Sequence, residues 1–280
     1  MSAPDLKPAT DEVRVVMYDL IPRTIEVVDI TDLSAQLRRI GFRITSPAEF
    51  QIVPMAPDDH VKLFFPDPET GEILMPATGP DGMRLPTEGR FPIYRDYTVR
   101  AFDRAAARLD LEFVLHTHGV AGAWASRAQP GDQLGMLGPR GSQIYPTGYD
   151  WYLLAADETA LPALARWIEE LPADKPVIAV AEVSGPAGEI DLPQRDGAQV
   201  RFVHRPAEGG NSTALGDAIR ELDLPDGEFY AWAAGEAGTL KSIRHYLRRE
   251  LGLPKARVKV DGYWRRGTVN LDHHAAENED

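Results

Sequence analysis

The chain contains no cysteine. Disulfides, thiolate metal sites, cysteine-ligated iron–sulfur clusters and cysteine nucleophiles are therefore excluded. No run approaches the roughly 18 apolar residues of a membrane span. The opening residues, MSAPDLKPATDEVR, carry no basic stretch followed by an apolar one, so no secretory leader is read there and a cytoplasmic location is expected. Positive charge is scarce: 30 Lys and Arg stand against 43 Asp and Glu, a net charge of −13. Nucleic acid and anionic lipid are held by basic footprints, so neither is an expected partner. An anionic small molecule would need a local basic patch set against the global field. There is no G-x-S-x-G and no H-E-x-x-H, which leaves hydrolase chemistry without a foothold.

What is present reads as a soluble globular protein: 280 residues, 43% apolar and 26% charged. That length suggests about two domains. The first half holds short alternating or apolar segments: EVRVVMYDLI, TIEVVDI, RRIGFRIT, HVKLFFP, RDYTVRAF, LDLEFVLH and DQLGMLGP. Turn signals such as PDPETGE, TGPDG and QPGD separate them. Closely spaced strands without a long helix predict a small antiparallel barrel of six or so strands. After about residue 148 the rhythm changes. Apolar runs at 151–156, 176–183, 199–205, 229–235 and 257–264 alternate with helical patterns. One pattern, from Asp157, puts Leu161, Leu164, Ala165, Ile168 and Leu171 on one stripe. Another, near Thr239, repeats Leu240, Ile243, Leu247 and Leu251 and stops at Gly252. Strand–helix alternation predicts βαβ units and a parallel sheet. The expected division is a barrel domain over 1–148, an α/β domain over 149–270 and a frayed acidic tail over 271–280, whose His273 and His274 are read as solvated.

Four stretches carry candidate chemistry. YRDYTVR, 94–100, reads as a strand, yet Arg95 and Tyr97 fall on one face and Thr98 and Arg100 on the other. Neither face is apolar, which suits a strand that holds a ligand. HTHGVAGAWA, 116–125, follows a strand with small residues; its backbone N–H groups can cradle phosphate or simply make a glycine turn. There is no G-x-G-x-x-G after the first α/β strand. Instead AADET places Asp157 and Thr159 at a strand's carboxyl end, where they either cap the next helix or touch a ligand. Arg205, after VRFVH, is either a partner for a 2′-phosphate or a solvated strand end.

YRDYTVR, LEFVLHTHGVAGAWASRAQPGDQLGMLGPRG, WYLLAADETALPALARWIEEL, AWAAGEAG and VDGYWRRG, taken in order over about 12–269, resemble the siderophore-interacting proteins. These are flavin-dependent ferric-siderophore reductases of the ferredoxin–NADP reductase superfamily. The resemblance implies FAD on the barrel and NADH or NADPH on the α/β domain. It implies hydride transfer to the flavin and single-electron delivery to Fe(III) in a siderophore, with no general acid or base and hence no catalytic triad. Tyr97 would lie against the flavin ring and Thr98 would reach toward its N5 edge. Arg95 and Arg100 would neutralise pyrophosphate or flavin. His116 and the turn of Gly119, Gly122, Ala123 and Trp124 match the FAD-phosphate stretch, although Gly119-Val120-Ala121-Gly122 replaces the family's Gly-Pro-Ala-Ser and loses a hydroxyl. Asp157 and Thr159 match its Asp-Glu-Thr. Lys62, Arg248 and Arg265 match basic positions around a siderophore pocket. Ferredoxin is a further electron source that the resemblance allows, and a monomer is expected. Two alternatives stay open: a flavin reductase or diaphorase acting on a protein or free flavin, and a non-enzymatic siderophore-binding adaptor.

Overall fold

The computed structural model describes residues 12–116, 119–206 and 212–268. The expected tail, with His273 and His274, lies outside them. β1 (Arg14–Met17) comes first. β2 (Arg23–Asp32), β3 (Leu37–Ile44) and β4 (His60–Phe65) follow, then a small hairpin, β5 (Ala77–Gly79) and β6 (Gly82–Arg84). The long β7 (Ile93–Asp103), β8 (Arg108–Val114), α1 (Val120–Arg127), β9 (Gln133–Leu137) and β10 (Gly141–Ile144) complete this half.

Six of these strands, in the order β2-β3-β8-β7-β4-β9, close into an antiparallel barrel. They are the six segments after the first in the sequence reading. Alternation drives the closure: on β4, Val61, Leu63 and Phe65 are buried while His60 and Lys62 face out. The first segment does not join the barrel. β1 pairs with β10, and Val15 and Met17 remain exposed. The TGPDG stretch, expected as a turn, is the tip of the β5–β6 hairpin.

The second half runs β11 (Trp151–Asp157), α2 (Leu161–Glu170), β12 (Val177–Val183), β13 (Ala198–His204), α3 (Ala214–Arg220), β14 (Phe229–Glu236), α4 (Ala237–His245) and β15 (Val258–Trp264). The strands form a five-stranded parallel sheet in the order β13-β12-β11-β14-β15. Its central strands, β11 and β14, are buried at every position, as expected of a sheet covered on both faces. α2 buries the predicted stripe. α4 departs from expectation near its end. Residues Tyr246–Glu250 widen into a π turn, whose extra residue shifts the phase of the stripe. Leu251, predicted on the buried face, is accordingly exposed. α3, two turns long, had no distinct signature.

α2 also ties the halves together. Arg166, nearly fully buried, donates to the Val99 carbonyl of β7 at 3.3 Å and to Glu170 at 2.6 Å. Glu170 in turn accepts from the Met55 backbone at 2.6 Å.

Candidate functional site

The face question raised by β7 is settled by its register with β4. Tyr97 opposes Val61 and Arg95 opposes Leu63, so both share the inward face. Thr98 opposes His60 and Asp96 opposes Lys62, so these share the outward one. Tyr97 is half-buried, with its ring 4.3 Å from that of Phe113. Burial pushes its phenol up, against the nearby charge of Arg95. Arg95 donates to the Tyr94 carbonyl at 2.6 Å.

Arg100 is placed differently from its expected role at phosphate or flavin. A pairing irregularity between Val99 and Ala101 turns the strand there. The Arg100 guanidinium meets Glu169 of α2 through two bonds, at 2.8 and 2.6 Å, and lies 3.7 Å from buried Glu112. Its charge is spent on joining barrel to α2. Arg95 is then the cation that β7 turns toward the barrel's inner face.

At the end of β8, α1 starts on Gly119, whose φ of 82° lies in the left-handed region. Among the described residues no side chain caps the start of this helix. A Cβ on Gly122 would stand 2.7 Å from both the His116 ring and its carbonyl oxygen, so only glycine lets the helix start that close to His116. Ala123 is half-buried and continues the turn. Trp124, expected at the phosphates, is instead core. Its indole is 4% exposed and packs among Phe42, Phe65 and Phe113 at 5.8–6.3 Å. Its apolar surface is larger than any polar contact could offset, so the barrel takes it.

At the carboxyl edge of the parallel sheet, Asp157 is a hub. It accepts from the Thr159 backbone at 2.9 Å and its hydroxyl at 2.5 Å, which caps the turn leading into α2. It also accepts from the Glu236 backbone at 2.9 Å and the Trp264 indole at 2.7 Å. Burial raises its carboxyl to about 6, against the lowering by Thr159 and Trp264, with Glu158 adding to the rise. Gly235, with φ of 148°, must be glycine here, because a Cβ would lie 2.6 Å from that carboxylate. One residue before Trp264, the Tyr263 hydroxyl is buried beside Thr98; burial pushes the phenol up, and the Thr98 side chain draws it down against that push.

The three basic positions separate. Lys62 lines a cavity of about 100 Å³ together with Leu20, His60, Met83, Gly138 and Arg140. Its Nζ pairs with Asp96 at 2.7 Å and lies 5.1 Å from the Tyr94 ring centre. Arg265 is half-buried just past β15, bridged to Thr268. Arg248 is not brought to either. It sits in the π turn and donates to the Leu253 carbonyl, closing its own helix. At 1.5 Å per residue it is roughly 16 Å along the helix from the sheet's carboxyl edge. Arg205, read as a candidate for a 2′-phosphate, is bonded to Glu182 at 2.9 Å and to Glu158. The Glu158 and Glu182 partners had no sequence signal. Among the described residues no group of His, Asp and Glu is arranged to hold a metal ion, and no helix is long and apolar enough to cross a membrane.

These groups fit FAD. The glycine-rich start of α1 and the Arg95 guanidinium of β7 are each of a kind that suits phosphate, and the buried Tyr263 hydroxyl beside Thr98 offers a polar group at the joint of the two halves. Comparison with known proteins agrees. The siderophore-interacting FAD-binding domain matches residues 26–143, and the siderophore-interacting protein family matches residues 149–267. A siderophore utilization protein from T. fusca superposes with a TM-score of 0.87 at 45% identity, covering 94% of this chain and 100% of that one. The NADPH-dependent ferric-chelate reductase of Escherichia coli is 32% identical over 89% of this chain and 95% of its own length. The ferric vibriobactin reductase ViuB of Vibrio cholerae is 30% identical over 77% of this chain and 79% of its own.

Proposed function

The chain belongs to the siderophore-interacting protein family, and from that premise we propose that it reduces ferric siderophores with electrons from NAD(P)H through bound FAD. Residues 1–148 hold FAD and residues 149–270 receive the electron donor. The observation that carries this reading is the joint itself: the FAD-type strand β7 and the nucleotide-type crest of the sheet meet where Tyr263 buries its hydroxyl beside Thr98.

The bound FAD supplies the exchange between a two-electron hydride and single electrons. The protein's own residues position and shield. Arg95 and the open N–H groups of α1, with His116, Gly119, Gly122 and Ala123 shaping the turn, bind the phosphates. Tyr97 and Thr98 border the flavin ring, and Asp157 with Thr159 shapes its edge at the crest. Lys62 and Arg265 draw the anionic substrate toward the joint. One hydride carries two electrons, so each NAD(P)H accounts for two Fe(III) reduced to Fe(II), which leaves the siderophore because Fe(II) is held far more weakly. NAD(P)H is a reductant of the cell interior, so iron is released in the cytoplasm. Ferredoxin is the alternative electron source, and the working unit is a monomer, which sedimentation checks.

A second reading, a diaphorase with a protein or free-flavin acceptor, is favoured by the salt bridge that already occupies Lys62 and by the remoteness of Arg248. One experiment separates the two. NADH or NADPH is added anaerobically to the protein loaded with FAD, with and without a ferric siderophore. Flavin colour that bleaches and returns only when the siderophore is present, with two Fe(II) per donor, supports the first reading. Bleached flavin that the ferric siderophore leaves colourless overturns it.

A further inference from the structure

The donor side of the sheet has an unusual balance of charge. A small cavity at its carboxyl edge is lined by Asp157, Glu182 and Glu236 against two guanidiniums, Arg205 and Arg266. Arg205 follows β13 directly. Its Nε donates to Glu182 at 2.9 Å, and a terminal nitrogen meets Glu158. Glu182 is 3% exposed, and its second oxygen accepts from the Ser212 hydroxyl at 2.8 Å and the Leu215 backbone at 3.1 Å. Both carboxylates are therefore held in place, and together they outweigh the single charge of Arg205. Arg266 sits at the rim, where its backbone N–H donates to Glu236 at 3.2 Å and its side chain is exposed.

Position gives this triad a meaning. In open α/β sheets an acidic residue near the end of the second strand takes the adenosine ribose hydroxyls of NAD, whereas a nearby arginine takes the 2′-phosphate of NADP. β12 is the second strand of this sheet in chain order and has Glu182 one residue before its end. Arg205 is the arginine that reaches that carboxylate, bonded to it instead of standing open, whereas Arg266 lines the cavity from its exposed rim. A 2′-phosphate would have to break it away from two carboxylates and then sit beside them in a cavity already net negative.

We propose that the Glu158–Arg205–Glu182 triad makes the donor site select NADH over NADPH. This rests on the reading that a pyridine nucleotide is the donor, and it sets the chain apart from the Escherichia coli relative named NADPH-dependent. Two measurements test it. The rate of flavin bleaching is compared for NADH and NADPH in the wild type and in Glu158→Gln. Separately, calorimetry compares the binding of 5′-AMP and adenosine 2′,5′-bisphosphate to the same proteins. The wild type is expected to favour NADH by more than tenfold in kcat/KM and 5′-AMP over the bisphosphate in affinity. Glu158→Gln removes one of the two charges holding Arg205, and is expected to move both ratios at least tenfold toward the 2′-phosphorylated form, about 1.4 kcal/mol. A wild type that binds the bisphosphate more tightly than 5′-AMP overturns the proposal even if the variant fails to fold. Ratios unmoved in a folded variant overturn the role of the triad. Protein that dithionite bleaches but neither nucleotide does overturns the donor reading underneath.

Discussion

Asp157 offers the sharpest test of how the crest is held. It is buried, has no cationic partner among the described residues, and meets four donors from Thr159, Glu236 and Trp264. Burial nevertheless outweighs those donors and raises the carboxyl from 3.8 to about 6. At about 1.36 kcal/mol per pH unit this corresponds to roughly 3 kcal/mol between charged and neutral forms. The folded carboxyl holds its proton more tightly than the unfolded chain does. Its contribution is thus fully present below the unfolded value of 3.8 and is lost as pH rises through about 6. Asp157→Asn keeps the shape and removes the titration, but turns an amide N–H₂ toward two of the four donors. Each buried donor left unpaired costs about 1–3 kcal/mol. The variant should therefore be less stable than wild type near about pH 4, and the deficit should shrink by roughly 3 kcal/mol toward about pH 7. Urea unfolding of both proteins across that range measures the difference curve. Other carboxyls shift too, Asp59 upward through burial and Asp29 downward through its hydrogen bond to Arg108. They are common to both proteins and cancel in the difference. A deficit that stays constant with pH would refute the account of Asp157.

Three further outcomes are expected. Arg95→Ala should weaken FAD binding tenfold or more, from the loss of about 1.5–3 kcal/mol of charged hydrogen bonding, with little change in unfolding midpoint; an unchanged FAD dissociation constant by fluorescence titration contradicts this. Arg100→Ala should behave in reverse, losing roughly 1.5–3 kcal/mol of stability by opening the Glu169 clamp while FAD affinity moves less than in Arg95→Ala; equal FAD losses would return Arg100 to the cofactor. Lys62→Ala should raise KM for an anionic ferric siderophore and Asp96→Asn, which frees Lys62, should lower it, both effects fading as salt shortens the screening length to about 8 Å; two changes of the same sign would remove Lys62 from the acceptor site.

The barrel was legible because alternation is local. Val61, Leu63 and Phe65 declare their face within one strand, and the same holds for the buried runs of β11 and β14. The YRDYTVR motif, through its family resemblance, singled out Arg95, Tyr97 and Thr98 as candidates. What the sequence hid are charges satisfied across long separations. Arg100 meets Glu169 across 69 positions, and Trp264 meets Asp157 across 107. No periodicity links such residues; only the closed fold brings them together. Arg100 and Arg205 therefore read as free cations when each is already matched by two carboxylates. Trp124 shows the opposite case. The family resemblance put it at the FAD-phosphate turn, but its apolar neighbours Phe42, Phe65 and Phe113, from three different strands, make it core.

The Gly262-Tyr263-Trp264 run links the two halves of the fold. Successive residues of a strand point to opposite faces. On β15 that pleat sends Tyr263 toward Thr98 of the barrel and Trp264 toward Asp157 of the crest. Gly262 permits it, since a Cβ there would lie 2.8 Å from that of Ala237 at the start of α4. β15 is an edge strand, bonded only to β14, so its far side is not occupied by another strand of the sheet. A displacement of this edge would be felt at Thr98 and at Asp157 together. The two contacts differ in place: Trp264 is held to Asp157 by a hydrogen bond of 2.7 Å, whereas the Tyr263 hydroxyl is buried beside Thr98. The hydrogen bond to Asp157 thus fixes the strand's position at the crest, while Tyr263 turns a buried hydroxyl toward the barrel.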